Sequence, residues 1–468
     1  MEYSAILHDM DKRFCYAIDK DLFVIRVQVK KDDIKEIILH YEDKYIPLEW
    51  KDTRKTIPMK KVATSQFHDY YEAQLQMHLI CLRYYFEFTD MQGEKVYYGN
   101  YEFSRECITN RDRMFDCPQN LREEEMFEVP EWAANKVVYQ IFPSRFAASQ
   151  PIDKELWYKA PITSKDNLHG DLRGIIDHLD HIQKLGIDVV YLTPIFKSDS
   201  CHKYDTTDYY QIDPSFGTTE DLKELVQKAH ECGMKVVMDA VFNHTGRDFF
   251  AFKDIQQNRE NSPYCSWFKG INFGWNSPYN DGFGYEAWRN CFELVNLNYW
   301  EPKVREYILS VIGFWIDEFD IDGIRLDAAD VLDFGFMKEL RSFCNGLKPD
   351  FWLMGEVIHG DYSRWANNDM LHSVTNYELH KGLYSGHNDH NYFEIAHTIK
   401  RLNGIVGDKK LYTFCDNHDV ARIYSKLNNK AHMYNVAILV YTVPGIPSIY
   451  YGSEFGIPGN KENGSDWN

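Results

Sequence analysis

The stretch IDGIRLDAAD (321–330) decides the reading of this chain. A short apolar run ends in Arg325 and Asp327, two residues apart. On a strand, period 2 sends both side chains to one face. Two further runs end the same way, DFWLMGEV (350–357) at Glu356 and LYTFCDNHD (411–419) at Asp419. Each reads as a buried parallel strand with room for helices between.

Working outward, the rhythm of strand and helix covers the chain from about residue 133. The predicted strands are VVYQIFP (137–143), IDVVYLTPI (187–195), MKVVMDAVF (234–242), IDGIRLDA (321–328), DFWLMGEV (350–357), HSVTNYEL (372–379), LYTFCDN (411–417) and IPSIYYGSE (446–454). Between them, helices are predicted from Thr219 to Cys232, with Thr218 as N-cap and Asp221 completing a capping box, from Pro302 to Phe319, and from Asp333 through Leu347. Eight alternations predict an α/β fold, a closed (β/α)8 barrel, whose strand ends converge on one face. About 60 residues rich in Asn, Tyr, Trp and Gly follow the third strand; a loop of that length forms a small inserted domain, here 244–298. After the eighth strand only GIPGNKENGSDWN remains, so the final helix is expected to be missing from this sequence.

Residues 1–119 read differently. DLFVIRVQV (21–29) puts Phe23, Ile25, Val27 and Val29 on one face, and YEAQLQMHL (71–79) does so with Tyr71, Ala73, Leu75, Met77 and Leu79. LRYYFEFTD (82–90) and EKVYYGN (94–100) form a hairpin around Met91, Gln92 and Gly93. Short alternating strands predict a β-sandwich. A polar linker at 120–132 leads into the barrel domain, 133–468.

Composition narrows the function. The 468 residues carry 71 acidic and 52 basic side chains, a net charge of −19. That disfavours nucleic acid and anionic membranes as partners and suits a neutral substrate. The ten cysteines contain no C-x-x-C pair, which gives zinc or thioredoxin-like chemistry no support. No run approaches the ~18 apolar residues of a spanning helix, and the first residues lack a signal-peptide pattern. A cytoplasmic setting is expected.

Three acids on three strand ends are costly to desolvate unless a reaction uses them. A nucleophile, a proton donor and a third acid are what retaining cleavage of a glycosidic bond needs. Arg325 is expected to keep Asp327 ionised and its pKa low. Glu356, near Trp352, Leu353 and Met354, is expected to hold its proton toward neutrality. Asp419 follows His418 and is read as gripping sugar hydroxyls. His244, closing the third strand in DAVFNH (239–244), is read as a substrate ligand. Tyr204 in HKYDTTDY (202–209) could present its ring to a sugar, with Asp205 fixing the loop.

At these residues the chain resembles the α-amylase family, glycoside hydrolase family 13, over about 137–454. DAVFNH, GIRLDAAD, GEV and FCDNHD stand in the family's order. The resemblance implies Asp327 as nucleophile, Glu356 as acid/base and Asp419 as transition-state stabiliser. It implies His244, Arg325 and His418 as ligands of the sugar at the cleavage point, with Tyr204 stacking under it. The long third loop resembles the family's domain B. The N-terminal region resembles the starch-binding-type module of neopullulanases, cyclomaltodextrinases and maltogenic amylases, relatives that are often intracellular and dimeric through that module. The chain departs from that subgroup at Asp330 and Val331, where it tends to carry Asn-Glu, and at Ile358, where it tends to carry Trp. The C-terminal β-domain that normally completes such relatives is expected to be missing from this sequence. The subgroup's calcium loop reads FAASQP (146–151) here, without its carboxamide and acid, so no metal and no cofactor are expected. The expected activity is hydrolysis of α-1,4 bonds in oligosaccharides of the maltodextrin class, with α-1,6 bonds, pullulan, cyclodextrins and transfer to sugar acceptors left open, in a homodimer. The rival readings are a glucanotransferase using the same residues and a non-catalytic or truncated sugar-binding barrel.

Overall fold

The computed structural model describes all residues except 12, 19–21, 47–48, 77–81, 118–126, 128, 160, 164–165, 408 and 462–468. The chain divides into two compact units, Met1–Phe127 and Glu128–Asn468. Most of the predicted linker, and Met77 and Leu79, lie outside the described residues.

The first unit is a β-sandwich. One sheet orders Cys15–Ala17, Leu22–Lys30, His68–Gln76 and Lys60–Thr64; the other orders Lys55–Pro58, Ile34–Asp43, Leu82–Asp90, Lys95–Gly99 and Glu102–Ser104. Phe23, Ile25, Val27 and Val29 pack with Tyr71, Ala73 and Leu75 against Leu39, Tyr84, Phe86 and Phe88. The predicted hairpin forms with Gly93 at φ 88°. The Asp90 carboxylate accepts the Gln92 and Glu94 amides and holds its turn.

The second unit is the predicted barrel. Its strands are β1 (Val138–Ile141), β2 (Val189–Leu192), β3 (Lys235–Ala240), β4 (Gly323–Leu326), β5 (Trp352–Gly355), β6 (Ser373–Val374), β7 (Tyr412–Phe414) and β8 (Ile446–Tyr450). They pair in parallel in the order β6-β5-β4-β3-β2-β1-β8-β7. A parallel bridge between Thr375 and Tyr412, and the Asn376 amide on the Tyr412 carbonyl at 2.9 Å, close the ring between β6 and β7. The helix Thr219–Glu231 carries the predicted capping box of Thr218 and Asp221. Pro302–Phe319 starts with proline in its first turn, and Asp333 caps Phe334–Leu347.

The alternation of strand and helix breaks in two places. Between β5 and β6 the described residues hold a 3-10 turn, Tyr362–Arg364, and no α-helix. The connecting sequence EVIHGDYSRWANNDM is too rich in Gly, Asp and Asn for a helix interior. After β6, HSVTNYEL is strand only at Ser373–Val374. Asn376 then caps a helix, Tyr377–Asn388, and a second helix, Tyr392–Val406, follows before β7. The long connection after β3 has its own short pairing, His244–Gly246 with Leu294–Asn296, and a helix Phe250–Asn258.

The bottom of β4 is built for stability. Asp322 is buried at the strand's entrance. Its carboxylate accepts His230 Nε2 at 2.6 Å, the Val236 amide at 2.9 Å, Lys235 Nζ at 2.9 Å and Lys348 Nζ at 3.2 Å. Burial alone would raise its pKa, but these donors outweigh burial and hold it well below the usual carboxylate range. The ion-pair contribution is therefore complete at neutral pH and fades as pH falls below about 4, where the unfolded chain takes up the proton first. Asp322→Asn should cost about 2–3 kcal/mol, the scale of charge-assisted hydrogen bonds. Denaturant unfolding at pH 7 and pH 3 tests this: the deficit should shrink at the lower pH, and an equal deficit at both would contradict it.

Candidate active site

At the opposite end of β4, the guanidinium of Arg325 is buried among carboxylates. Asp239 of β3 and Arg325 are lateral partners in the parallel ladder, so register sets them side by side. Arg325 donates to Asp239 at 2.9 Å and to Asp327 at 2.8 Å. Its other terminal nitrogen lies 3.0 Å from Glu356, just past the end of β5. One fork therefore touches three acids from three strands.

Backbone strain completes the arrangement. Ala328, the residue after Asp327, has φ 46°. A non-glycine residue in that left-handed region costs free energy and persists only where its surroundings fix it. There, the Ala328 amide donates to Glu356 Oε2 at 3.0 Å. Tyr377, at the start of the helix after β6, donates its hydroxyl to the other Glu356 oxygen at 3.4 Å.

The third predicted acid stands on the same rim. Asp419 follows β7 and is the most open of the three, its side chain 40% exposed. His418 Nε2 lies 3.1 Å from its carboxylate and Lys461 Nζ 3.5 Å away. Lys461 also donates to the His418 carbonyl at 2.6 Å, tying the segment after β8 to β7. Gln140 of β1 donates its amide to His418 Nδ1 at 2.7 Å. That leaves the imidazole proton on Nε2, facing Asp419 and the Tyr204 hydroxyl at 2.6 Å.

Tyr204 stacks parallel to His418, ring centroids 5.4 Å apart, and donates its hydroxyl to Asp239 at 2.8 Å. Asp205 accepts the hydroxyls of Ser198 and Ser200, so it fixes the loop as expected. His244 is buried, with Nε2 on the Tyr204 carbonyl at 3.1 Å and Trp288 at 5.9 Å between ring centroids. The structure thus brings all seven predicted residues to one rim.

Electrostatics correct one expectation. Asp327 is not held low: burial pushes its pKa well up against Arg325, and Glu356, Asp239 and Asp419 push the same way as burial. The reason is that the guanidinium is shared with Asp239 and Glu356. Burial also raises Glu356, against Arg325 and with the help of Asp419. Asp419 goes the other way, to about 2, because His418, Lys461 and Arg325 outweigh its burial. Burial drives His418 down to about 3 and His244 to about 4, so both are neutral near pH 7. Fully ionised, the site would set four carboxylates against two cations, Arg325 and Lys461. The protons that remain belong to the coupled set rather than to one residue.

The sequence reading missed Asp239, Tyr191, Gln140, Tyr377 and Lys461. Tyr191 donates to Asp239 at 2.7 Å. A signal existed for three of them: Gln140, Tyr191 and Asp239 are polar groups within otherwise apolar strands. Nothing in GIPGNKENGSDWN marked Lys461.

The loop 146–151 brings no carboxylate of its own. The nearby Asp171 is occupied as a helix cap, accepting Ser149 Oγ at 2.6 Å and the Gly174 amide at 2.6 Å.

Known proteins resemble this chain in sequence and in fold. The model of the α-amylase catalytic domain matches residues 140–468, and that of the α-amylase N-terminal Ig-like domain matches 1–119. A cyclomaltodextrinase of Thermoanaerobacter pseudethanolicus is 35% identical over 474 residues, covering 98% of this chain and 80% of that one. An intracellular maltogenic amylase of Bacillus subtilis is 32% identical over 475 residues, covering 99% and 79%. A solved cyclomaltodextrinase superposes with a TM-score of 0.71 at 34% identity, covering 100% of this chain and 82% of that one. By the match of both domains and by this identity, the chain belongs to the α-amylase family of glycoside hydrolases.

Proposed function

We propose that the chain cleaves α-1,4 bonds of maltodextrins and cyclodextrins with retention, using Asp327 as nucleophile, Glu356 as acid/base and Asp419 as transition-state stabiliser. The observation that carries this reading is the single Arg325 fork touching both Asp327 and Glu356. A guanidinium in contact with both carboxyls is compatible with the short separation, ~5–5.5 Å, that retention needs. The raised Glu356 suits proton donation to a leaving oxygen. The excess of carboxylates over cations suits a transition state that gains positive charge. His244, Arg325, His418 and Tyr204 would line the sugar at the cleavage point.

No cofactor enters this mechanism. The proposed setting is cytoplasmic, supported by free thiols at Cys107, Cys232, Cys265, Cys291, Cys344 and Cys415. No described helix is long and apolar enough to cross a membrane. We place homodimer formation on the N-terminal module, whose surface exposes Tyr45, Trp50 and Phe67.

Asp327→Asn should remove turnover of maltotriose by several orders of magnitude, about 7 kcal/mol or more. Residual turnover above a few per cent in a preparation free of parent enzyme rules out Asp327 as nucleophile.

In this reading Glu356 delivers the proton that the coupled carboxyls share; it is present below their raised pKa and lost above it, so kcat/KM should fall on the alkaline side. In Glu356→Gln, substrates with good leaving groups should keep part of their turnover, lose that alkaline limb and be accelerated by azide. An alkaline limb that survives the substitution assigns the proton to another group.

The first product anomer from an α-linked substrate, read by proton NMR, should be α. An initial β-anomer points to inversion.

A further inference from the structure

We propose that Trp275 is a second α-glucan contact, a platform on the inserted domain that grips the chain several glucose units from the cleaved bond. The proposal rests on the α-glucan reading above and adds a site that reading does not use.

The ring is seated on backbone. A Cβ placed on Gly284 would meet Trp275 Cε3 at 1.6 Å, so only glycine lets the indole lie there. Phe292 stands at its edge, ring centroids 6.5 Å apart. One side is thus covered, yet Trp275 remains 51% exposed. Single exposed aromatics are ordinary on protein surfaces. This one differs in how firmly its loop is held. Arg247 pairs with the Asp281 carboxylate at 2.6 Å and 2.9 Å. Arg259 donates to the carbonyls of Asp281 at 2.6 Å and Gly282 at 2.5 Å. A rigid, half-open ring binds with little ordering cost.

The surroundings select the ligand. Asn276 accepts the Gly282 amide at 2.7 Å and donates to Asn280 at 2.7 Å, so carboxamides sit on the same turn as the ring. Asn side chains offer both donors and acceptors to hydroxyls. The C–H face of a pyranose carries partial positive charge and suits the negative face of an indole. A chain with a net charge of −19 does not favour an anionic ligand.

A short run of backbone pairings leads from the platform to His244. His244 pairs with Asn296, the Asn296 amide donates to the Glu286 carbonyl, and Gly284 lies two residues before Glu286. Counting strand spacings and rises along that path puts Trp275 within about 20 Å of His244. A maltooligosaccharide of several units spans that distance; maltose does not.

The test is equilibrium binding by calorimetry to Asp327→Asn protein, with maltoheptaose and maltose as probes. Adding Trp275→Ala should raise the maltoheptaose Kd about fivefold and the maltose Kd less than twofold, the scale of one aromatic contact. Trp275→Phe should recover most of the loss. Gly284→Ala keeps the ring but unseats it, and should reproduce the loss even where Trp275→Ala folds poorly. Unchanged maltoheptaose binding in Trp275→Ala and Gly284→Ala overturns the proposal, as does an equal loss for both sugars. A parent protein that binds neither sugar overturns the α-glucan reading itself, before Trp275 is in question.

Discussion

Every part of the candidate site depends on one buried guanidinium. Arg325 cannot shed its charge, and it sits where water cannot screen it. Asp239, Asp327 and Glu356 are its partners, and removing it would leave three carboxyls crowded in a low-dielectric cleft. The barrel makes this sharing reachable. In the parallel ladder Arg325 lies beside Asp239 on one side and Met354 on the other, two residues before Glu356. Below it, Gly323 leaves no room for a side chain, because a Cβ there would meet the Trp352 carbonyl at 2.5 Å. The β4–β5 contact is therefore close, and the fork can reach across it.

A single four-residue strand separates two opposite electrostatic environments. At its foot, Asp322 is surrounded by His230, Lys235 and Lys348, more donors than one carboxylate needs. At its head, Asp327 competes with two other acids for one cation. The first arrangement lowers a pKa and stabilises the fold; the second raises pKa values and stores unfavourable free energy. Barrels place stability at the entrance of the strands and chemistry at their exits. β4 shows the physical content of that division: the same residue type is satisfied below and deliberately undersatisfied above.

Much of this was legible in the sequence, for definite reasons. The eight strands were readable because parallel strands buried on both faces are short continuous apolar runs. Arg325 and Asp327 were placed on one face by period 2, and Thr218 with Asp221 fixed a helix start. What stayed hidden was non-local. The low pKa expected for Asp327 followed from one neighbour on its own strand, while Asp239 and Glu356 reach the same guanidinium from other strands. The absence of an α-helix among the described residues between β5 and β6 departs from the regular alternation, where Gly, Asp and Asn weaken a helix interior. The Tyr204 hydroxyl was invisible as a partner of Asp239 because the two are 35 residues apart and meet only when the barrel closes.

The histidines complete the electrostatic argument. A cationic imidazole would be the simplest way to relieve crowded carboxylates, and His418 and His244 stand within the site. Burial denies them that role: His418 and His244 are both neutral near pH 7. Gln140 donates to one His418 nitrogen, so the other presents an N–H to the rim. The histidines therefore contribute hydrogen bonds without charge. Arg325 is already shared and Lys461 is at the edge, beside Asp419. In the proposed reaction, the positive charge that develops at the anomeric carbon would meet this excess of carboxylates, an arrangement that favours it.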